Sequence, residues 1–492
     1  MNKKKKEMEK IIMEKEQKFS KKKKIIFAVV LLIAIVYFGG VFYYSGHFLN
    51  KTVINGINCS NKTVDEIEDH IEKNIKSYEL KITERKNLSD TVKGSDIKLT
   101  YLENDVIQKY KESQNVFAWP VRLFGKAEKV RLETTSYDEE KLNDIINDFH
   151  CFEKKNITVP RSAYPEYVGN NKYKIVAEED GNKVIKKKLK EAVITCISGG
   201  DETLDLEKAN CYLEPKYRKD SKEIVQLKAD MESMVKGSIT WDYSERYINP
   251  VKFKDLLDKD KVTIDGDVTN QFIKIKNKTK AVISKQAIED WLVEYAGDTN
   301  TIYNGRKFKT HSGQMINVTS GGPYGWRMDV EKETKAIHTM MKEGTTKTRK
   351  PYYKQKAQTG TFGKINDIGK SYVEVDITNQ MVYVYKNGKQ VFATDCVTGN
   401  TSKGTITHPG VGVIQYKTRN KILGGVGYTY SSFVRYWMPF NGGEGLHDAD
   451  WRSSFGGSIY KTGGSHGCVN LPIYAAATIY GIIDAGWPVV VY

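Results

Sequence analysis

A chain of 492 residues exceeds one ordinary hydrophobic core and predicts about three domains. With 39% hydrophobic and 11% aromatic residues and only 11 prolines, the composition is that of folded domains and excludes a disordered or collagen-like chain. The formal net charge is +16, of which residues 1–24, with eleven Lys against four Glu, carry +7, so the mildly basic remainder suits an acidic polymer; no nucleic-acid motif accompanies it, and nucleic acid is not expected as a partner.

Ile25 to Tyr44 is a run of twenty residues without a charge, long enough to span a bilayer as one helix, and it follows Lys21-Lys22-Lys23-Lys24. The lysines hold the N-terminus in the cytoplasm by the positive-inside rule. The chain therefore reads as a basic tail (1–24), a transmembrane helix (25–45) and an ectodomain outside the membrane. A cleaved signal peptide is the alternative, although the run exceeds the usual apolar region and no small-x-small site follows it cleanly. Six cysteines, at 59, 151, 196, 211, 396 and 468, include no CxxC pair, which argues against structural zinc and against a dense disulfide scaffold. Cys196 and Cys211 are spaced so that a pairing stays open; buried free thiols are the default for all but Cys468.

Between 46 and 345 the pattern is α+β, in modules over 46–215 and 216–345. A strand at Val53–Ile57 precedes a helix capped by Ser60 or Thr63 with acidic first turns. Alternation marks strands at 78–82 and 97–101, a hairpin is expected around Asp180-Gly181, and a helix ends at Gly199-Gly200. Helices near 221–236 and 285–296 are followed by strands through 308–330. Gly344 to Gly369, basic and without apolar periodicity, reads as a linker, assigned to 346–369.

From 370 to 492 the period-two alternation becomes strong, at 372–377 and 380–385 and around an Asn387-Gly388 turn, and it recurs at 411–416 and 489–492, with one clear helix from Ile473 to Ala485. The expected fold is a mostly-β sandwich or barrel. Here Ser465-His466-Gly467-Cys468-Val469-Asn470 sets a thiol among small residues, 21 positions after His447. A cysteine attacks an acyl carbon as thiolate, so it needs a base at its side and room for the substrate. His447 can take that proton or stand as an imidazolium beside a thiolate, and Asp448, by side chain or carbonyl, can fix the imidazole tautomer. Backbone N–H groups near Gly467 and Cys468 face an oxyanion. His466 shares a strand face with Cys468 and is the alternative base. A zinc site of His447, His466 and Cys468 would need a further ligand. Arg435 and Arg452 can each hold a substrate carboxylate or an internal Asp. Cys396 reads as packed core and His408 as part of a turn.

His447, seventeen residues, then Ser465-His466-Gly467-Cys468, a variable position and Asn470 resembles the signature of the YkuD-type L,D-transpeptidases. The resemblance implies a YkuD-like β-sandwich over 370–492, with Cys468 as nucleophile, His447 as base and Asp448 as its orienter. Ser465, His466, Gly467 and Asn470 would shape the pocket and oxyanion site, with Trp451 and Arg452 at its edge; no metal or cofactor is implied. The implied reaction passes the acyl group of a peptidoglycan stem tetrapeptide, with release of D-Ala, through a cysteine acyl-enzyme to the side-chain amine of a second stem, giving a 3→3 cross-link; carbapenems typically acylate such enzymes. The alternatives are L,D-carboxypeptidase or endopeptidase action, attachment of a protein to the wall, and a non-catalytic wall-binding scaffold. Upstream, Gln114-Asn115-Val116-Phe117-Ala118-Trp119-Pro120, Pro160-Arg161-Ser162-Ala163 with Glu178-Glu179-Asp180-Gly181, and Gly321-Gly322-Pro323-Tyr324-Gly325-Trp326 resemble the peptidoglycan-binding domain that often precedes them. The resulting expectation is a single-pass cell-membrane protein with its catalytic domain facing the wall.

Overall fold

The computed structural model describes residues 2–246, 252–318, 321–358, 366–424 and 431–492. These form two compact units, Met1–Ala163 with Ala177–Arg218, and Tyr164–Val176 with Lys219–Tyr492.

The first unit opens with one continuous helix, Asn2–Gly46, so the basic tail and the apolar run share one helical rod. No residue of its apolar window is buried by the rest of the chain, and the window is long enough to cross a membrane. Beyond it, Thr52–Ile54 pairs antiparallel with Ile57–Asn58 and parallel with Glu128–Val130. The helix Val64–Ile75 is capped by Thr63 rather than Ser60. The Thr63 hydroxyl accepts from Glu66 N–H (3.3 Å) while the Glu66 carboxylate accepts from Thr63 N–H (2.8 Å), a reciprocal box that satisfies two orphan donors. Glu79–Thr83, Ser89–Lys93 and Thr203–Asp205 form a sheet whose apolar face packs on Leu142, Leu189 and Val193. The helix Lys186–Gly199 stops at Gly200, which takes the left-handed conformation. Cys196 and Cys211 are both buried free thiols.

Two expectations are corrected in the second unit. The hairpin lies upstream of Asp180-Gly181: Tyr164–Gly169 pairs with Lys172–Val176 across Asn170-Asn171, both at positive φ, a conformation asparagine tolerates well. It belongs with the second unit, because Tyr173 packs into the core of Leu227, Trp241, Trp291 and Tyr295. Nor is all of 346–369 a linker. Thr346–Arg349 pairs parallel with Ser238–Trp241 as the edge of a four-stranded sheet, and Tyr353–Gln355 pairs with Arg327–Met328; residues 359–365 of that stretch lie outside the described residues. The sheet is braced by Glu333, fully buried, whose carboxylate accepts from Trp241 Nε1 (3.2 Å), Arg349 (2.7 and 2.8 Å) and Tyr352 N–H (2.6 Å).

The C-terminal residues form two sheets. Five strands run in the order Lys389–Asp395, Met381–Lys386, Tyr372–Asp376, Pro488–Val491 and Gly410–Val413, and four in the order Thr418–Gly424, Ser431–Asn441, Glu444–Asp448 and Val469–Leu471. Val373, Val375, Val382 and Val384 from the first share one core with Met438, Phe440, Leu446, Val469 and Leu471 from the second and with Ala475, Ala476 and Ile479 of the helix Ile473–Ile482. This is the expected β-rich sandwich, and Cys396 lies in its core. The preceding segment is mated to it. Tyr324 N–H donates to the Val411 carbonyl (3.1 Å), and Gly322 passes so close to that strand that a Cβ would lie 2.2 Å from the same oxygen, which excludes any larger residue. Arg306 and Thr301 both bind the fully buried Asp367 carboxylate, while Tyr324 donates to its backbone carbonyl (3.0 Å).

Removing one member of a buried ion pair leaves the other charge uncompensated. Asp367→Ala is therefore expected to destabilise the second unit by about 3–5 kcal/mol, read as a fall in the urea midpoint of its transition; an unchanged midpoint would contradict the role given to this pair.

Candidate active site

The thiol and the imidazole meet because two strands run parallel. Glu444–Asp448 pairs with Val469–Leu471 in the register Leu446 to Val469, His447 to Asn470 and Asp448 to Leu471. Paired residues share a face and alternate residues return to it, so His447, Asn470 and, two positions before it, Cys468 face one side. That side opens into a cavity of about 160 Å³ lined by His447, Cys468, Asn470, Trp451, Arg452 and Ser465. His466 and Gly464 line it too, with Leu423 and Ser432 from the neighbouring hairpin.

Cys468 ends a turn built by side chains. The Ser465 hydroxyl accepts from Gly467 N–H (3.0 Å) and donates to the Cys468 carbonyl (2.5 Å), closing Ser465–Cys468 into a ring. The Thr407 hydroxyl, buried, accepts from Gly399 N–H (2.9 Å) and donates to the Gly467 carbonyl (2.7 Å). Gly467 sits at φ +121°, where a Cβ would be strained and would lie 3.3 Å from Glu444 Oε1. The thiol itself is half-buried and points its Sγ at the Gly443 carbonyl (3.7 Å). Burial pushes its pKa up to about 11; the Glu444 carboxylate adds to the rise and a backbone contact from Gly445 opposes it.

His447 is buried between the rings of Trp437 and Trp451, at 5.8 and 5.9 Å. Its Nδ1 lies 2.8 Å from the Asp448 carbonyl oxygen. A carbonyl can only accept, so Nδ1 carries the proton and Nε2 presents its lone pair. Burial holds the imidazole below its ordinary pKa against the pull of Asp448. Of the two ways in which Asp448 could orient His447, the structure has the carbonyl. The Asp448 carboxylate turns to the other side, where it accepts from the N–H groups of Arg435 and Tyr436 (2.8 Å each) and pairs with the Arg435 guanidinium (3.3 Å).

Arg435 is thereby engaged internally, by Asp448 and by Asp450 (2.9 Å). Arg452 donates to the Gly463 carbonyl (2.8 Å), and its buried Nε has no hydrogen-bond partner among the described residues. The Asn470 Oδ1 is likewise buried and unpartnered, while its backbone is fixed by a pair of 2.9 Å bonds with Val397. Trp451 is half-exposed at the rim and His466 is exposed. Among the described residues no three His, Cys, Asp or Glu side chains gather to hold a metal ion.

Several positioning residues escaped the sequence reading. Glu444 is buried under the Gly467 turn and accepts from the ring (2.5 Å) and N–H (3.2 Å) of His408, so His408 does more than shape a turn. Gln380, at φ +55°, accepts from Thr398 N–H (2.9 Å) and donates to its hydroxyl (2.7 Å), and the Thr398 carbonyl accepts from Ser465 N–H (3.0 Å). An acid three residues before His447 in a glycine-rich strand was a usable signal for Glu444; Gln380 and Thr398 carried none.

A fold of two packed sheets with a thiol and an imidazole facing one cavity defines a class of acyl-transfer domain, and comparison with known proteins specifies it. Residues 370–491 match the family model of the L,D-transpeptidase (YkuD) catalytic domain, and residues 91–205 match a family model named for peptidoglycan binding. The chain belongs to the L,D-transpeptidase family. It is similar to the catalytic domain from an Enterococcus faecium L,D-transpeptidase determined by NMR, at 39% identity over 26% of this chain and 100% of that one (TM-score 0.24), and equally to the same domain acylated by ertapenem. A crystal structure of an E. faecium L,D-transpeptidase in a Cys-to-Ser mutant is 28% identical over 54% of this chain and 98% of that one (TM-score 0.42). No curated protein matches the chain.

Replacing Gly467 by Ala would force a side chain into the strained region, at a cost of at least about 1–2 kcal/mol. Thermal unfolding of Gly467→Ala should fall accordingly, whereas the exposed Gly443, with open space around its α-carbon and no positive φ, is a control for the change in residue alone.

Proposed function

We propose that the protein is a membrane-anchored L,D-transpeptidase that forms 3→3 peptidoglycan cross-links through an acyl-enzyme on Cys468. The observation that carries the reading is the facing of Cys468 and His447 onto one cavity, with the His447 tautomer held so that Nε2 is the free base. The raised thiol and lowered imidazole favour a neutral resting pair over an imidazolium-thiolate. The proton then moves as the bond forms. Cys468 Sγ attacks the carbonyl carbon between the third stem residue and D-Ala, and His447 Nε2 takes the thiol proton and delivers it to the departing D-Ala amine. The C–N bond breaks and a thioester remains. The side-chain amine of a second stem attacks that thioester, passes a proton to His447, and the C–S bond breaks as the proton returns to sulfur.

Gly467 N–H is engaged by Ser465, so we assign the Cys468 N–H to the oxyanion, a donor whose loss would cost ~2.7–4 kcal/mol of barrier. His466 and Asn470 shape the pocket wall; Arg452 Nε and Asn470 Oδ1, with no partner among the described residues, are assigned to the substrate's polar groups, with Trp451 as an apolar rim. Asp448 acts through its carbonyl, as a positioning residue. Residues 91–205 would hold peptidoglycan, and the Asn2–Gly46 helix would anchor the chain with its lysine-rich end in the cytoplasm and everything after about Ser45 outside.

Incubated with a carbapenem, the wild-type chain should gain the adduct mass and Cys468→Ala should not; a wild type that never gains it would sink the thiol mechanism. His447→Ala should slow acylation by ~10²–10⁴, far more than His466→Ala, and the reverse order would transfer the role of base to His466. With a tetrapeptide stem, accumulation of the cross-linked dimer distinguishes transfer from hydrolysis, which would leave a tripeptide.

The pH dependence follows from the same two groups. Because His447 titrates below the usual 6.5 for histidine, the base stays neutral through pH 7 and acylation declines only as the pH falls through that lowered value. Thiol ionisation adds no second rise until the pH approaches about 11. A rate that climbs steadily between pH 7 and 9 would instead indicate attack by a pre-formed thiolate.

A further inference from the structure

The segment Gln114–Gly125 leaves the folded body of the first unit and returns to it, and the groups it touches give its depth. At its start, the Gln114 side chain binds Leu49 N–H and the Thr52 hydroxyl (2.9 Å each), just beyond the end of the long helix. At its end, the Gly125 carbonyl accepts from Lys51 Nζ (2.8 Å). Between these, the chain descends along the helix. Trp119 Nε1 donates to the Tyr37 carbonyl (3.0 Å), the Tyr37 hydroxyl donates to the Phe117 carbonyl (3.1 Å), and the indole lies on Gly40, where a Cβ would fall 2.3 Å from the ring. Tyr37 stands seven residues inside the outer end of the apolar run, about 10 Å at the rise of an α-helix.

Apart from Asn115, the side chains this segment exposes are apolar. Phe117, Val121 and Phe124 are 59%, 72% and 88% exposed, and Trp119 and Pro120 form with Leu32, Ile33, Val36 and Tyr37 a groove of about 310 Å³ open along the helix. Its backbone is meanwhile arranged as hydrocarbon requires, with N–H groups paired inside the segment. Phe117 N–H goes to the Asn115 side chain (3.1 Å), Ala118 N–H to the Asn115 carbonyl (3.0 Å), and Phe124 and Gly125 N–H to the Val121 carbonyl (3.2 and 3.1 Å). Arg122, at the ascending end, is paired with Glu128 (2.8 Å). In water such a cluster of exposed aromatic and aliphatic side chains would be costly, because apolar surface is driven out of contact with water.

We propose that Gln114–Gly125 is a second membrane contact, a short re-entrant aromatic loop that inserts beside the helix into the outer leaflet, with lipid acyl chains filling the Leu32–Pro120 groove. The inference rests on the reading of Asn2–Gly46 as a membrane anchor. Two contacts fix the rotation of the first unit about the helix axis, which a lone helix leaves free.

The test uses the full chain reconstituted in phosphatidylcholine–phosphatidylglycerol vesicles whose acyl chains carry bromine at mid-chain, a contact quencher of indole fluorescence. The Trp119 signal, taken as wild type minus Trp119→Phe, should lose the greater part of its intensity to the brominated lipid and be insensitive to aqueous acrylamide. A Phe124→Trp reporter in the Trp119→Phe background, a change at an exposed position, should behave alike. Quenching of both reporters by acrylamide but not by lipid, in protein that resists alkaline carbonate extraction, would overturn the loop insertion and leave the anchor standing. Shielding from both quenchers would mean that a second copy covers the groove, which also overturns it. Release of the protein by carbonate would defeat the anchor itself and this inference with it.

Discussion

Parallel pairing between Glu444–Asp448 and Val469–Leu471 is the constraint on which the site depends. Parallel neighbours cannot be joined by a tight turn, so the chain must travel from Asp448 to Ser465 before it can return alongside. That excursion supplies the cavity wall: Trp451 and Arg452 near its start, Gly464 and Ser465 at its end. Shifting the register by one residue would turn both Cys468 and Asn470 away from His447. The turn before Cys468 is correspondingly over-determined, with Ser465, Thr407 and Glu444 all acting on Gly467 or its neighbours.

Burial outweighs charge in setting the electrostatics here. The adjacent Asp448 spends its carboxylate on Arg435 and two backbone N–H groups, and so the imidazole beside it feels chiefly desolvation. This arrangement differs from a triad in which a carboxylate faces the imidazole. It leaves the histidine a weaker base but one that is uncharged at neutral pH, while Asp448 and Arg435 tie the His447 strand to its neighbour. A comparable division holds at the joint with the preceding segment, where Asp367 gathers Arg306, Thr301 and Tyr324 at one point behind the catalytic sheets.

What the sequence disclosed followed the surfaces that alternate. Strands with one covered face, such as Met381–Lys386, showed period two, and Asn387-Gly388 announced its turn through residues that accept positive φ. Glu444–Asp448 is buried on both faces and has no alternation to read. Thr346–Arg349 reads as linker in the sequence because it is an edge strand whose Thr346, Lys347 and Thr348 are exposed, a polar composition by which sheet edges avoid pairing with other chains, while Arg349 turns in to Glu333. The motif residues from His447 to Asn470 were legible by type and spacing. The direction of the Asp448 side chain was not, since its partner Arg435 arrives on Ser431–Asn441, a strand whose mixed pattern gave no signal.

The protonated state of Cys468 has a consequence for the lifetime of the protein. A thiol pushed up to about 11 by burial rests protonated at pH 7, and peroxides, disulfides and alkylating agents react with the thiolate. The five remaining cysteines are buried and free. Burial thus raises all six thiols of the chain, and by favouring the protonated form it slows the oxidation and alkylation that proceed through thiolate.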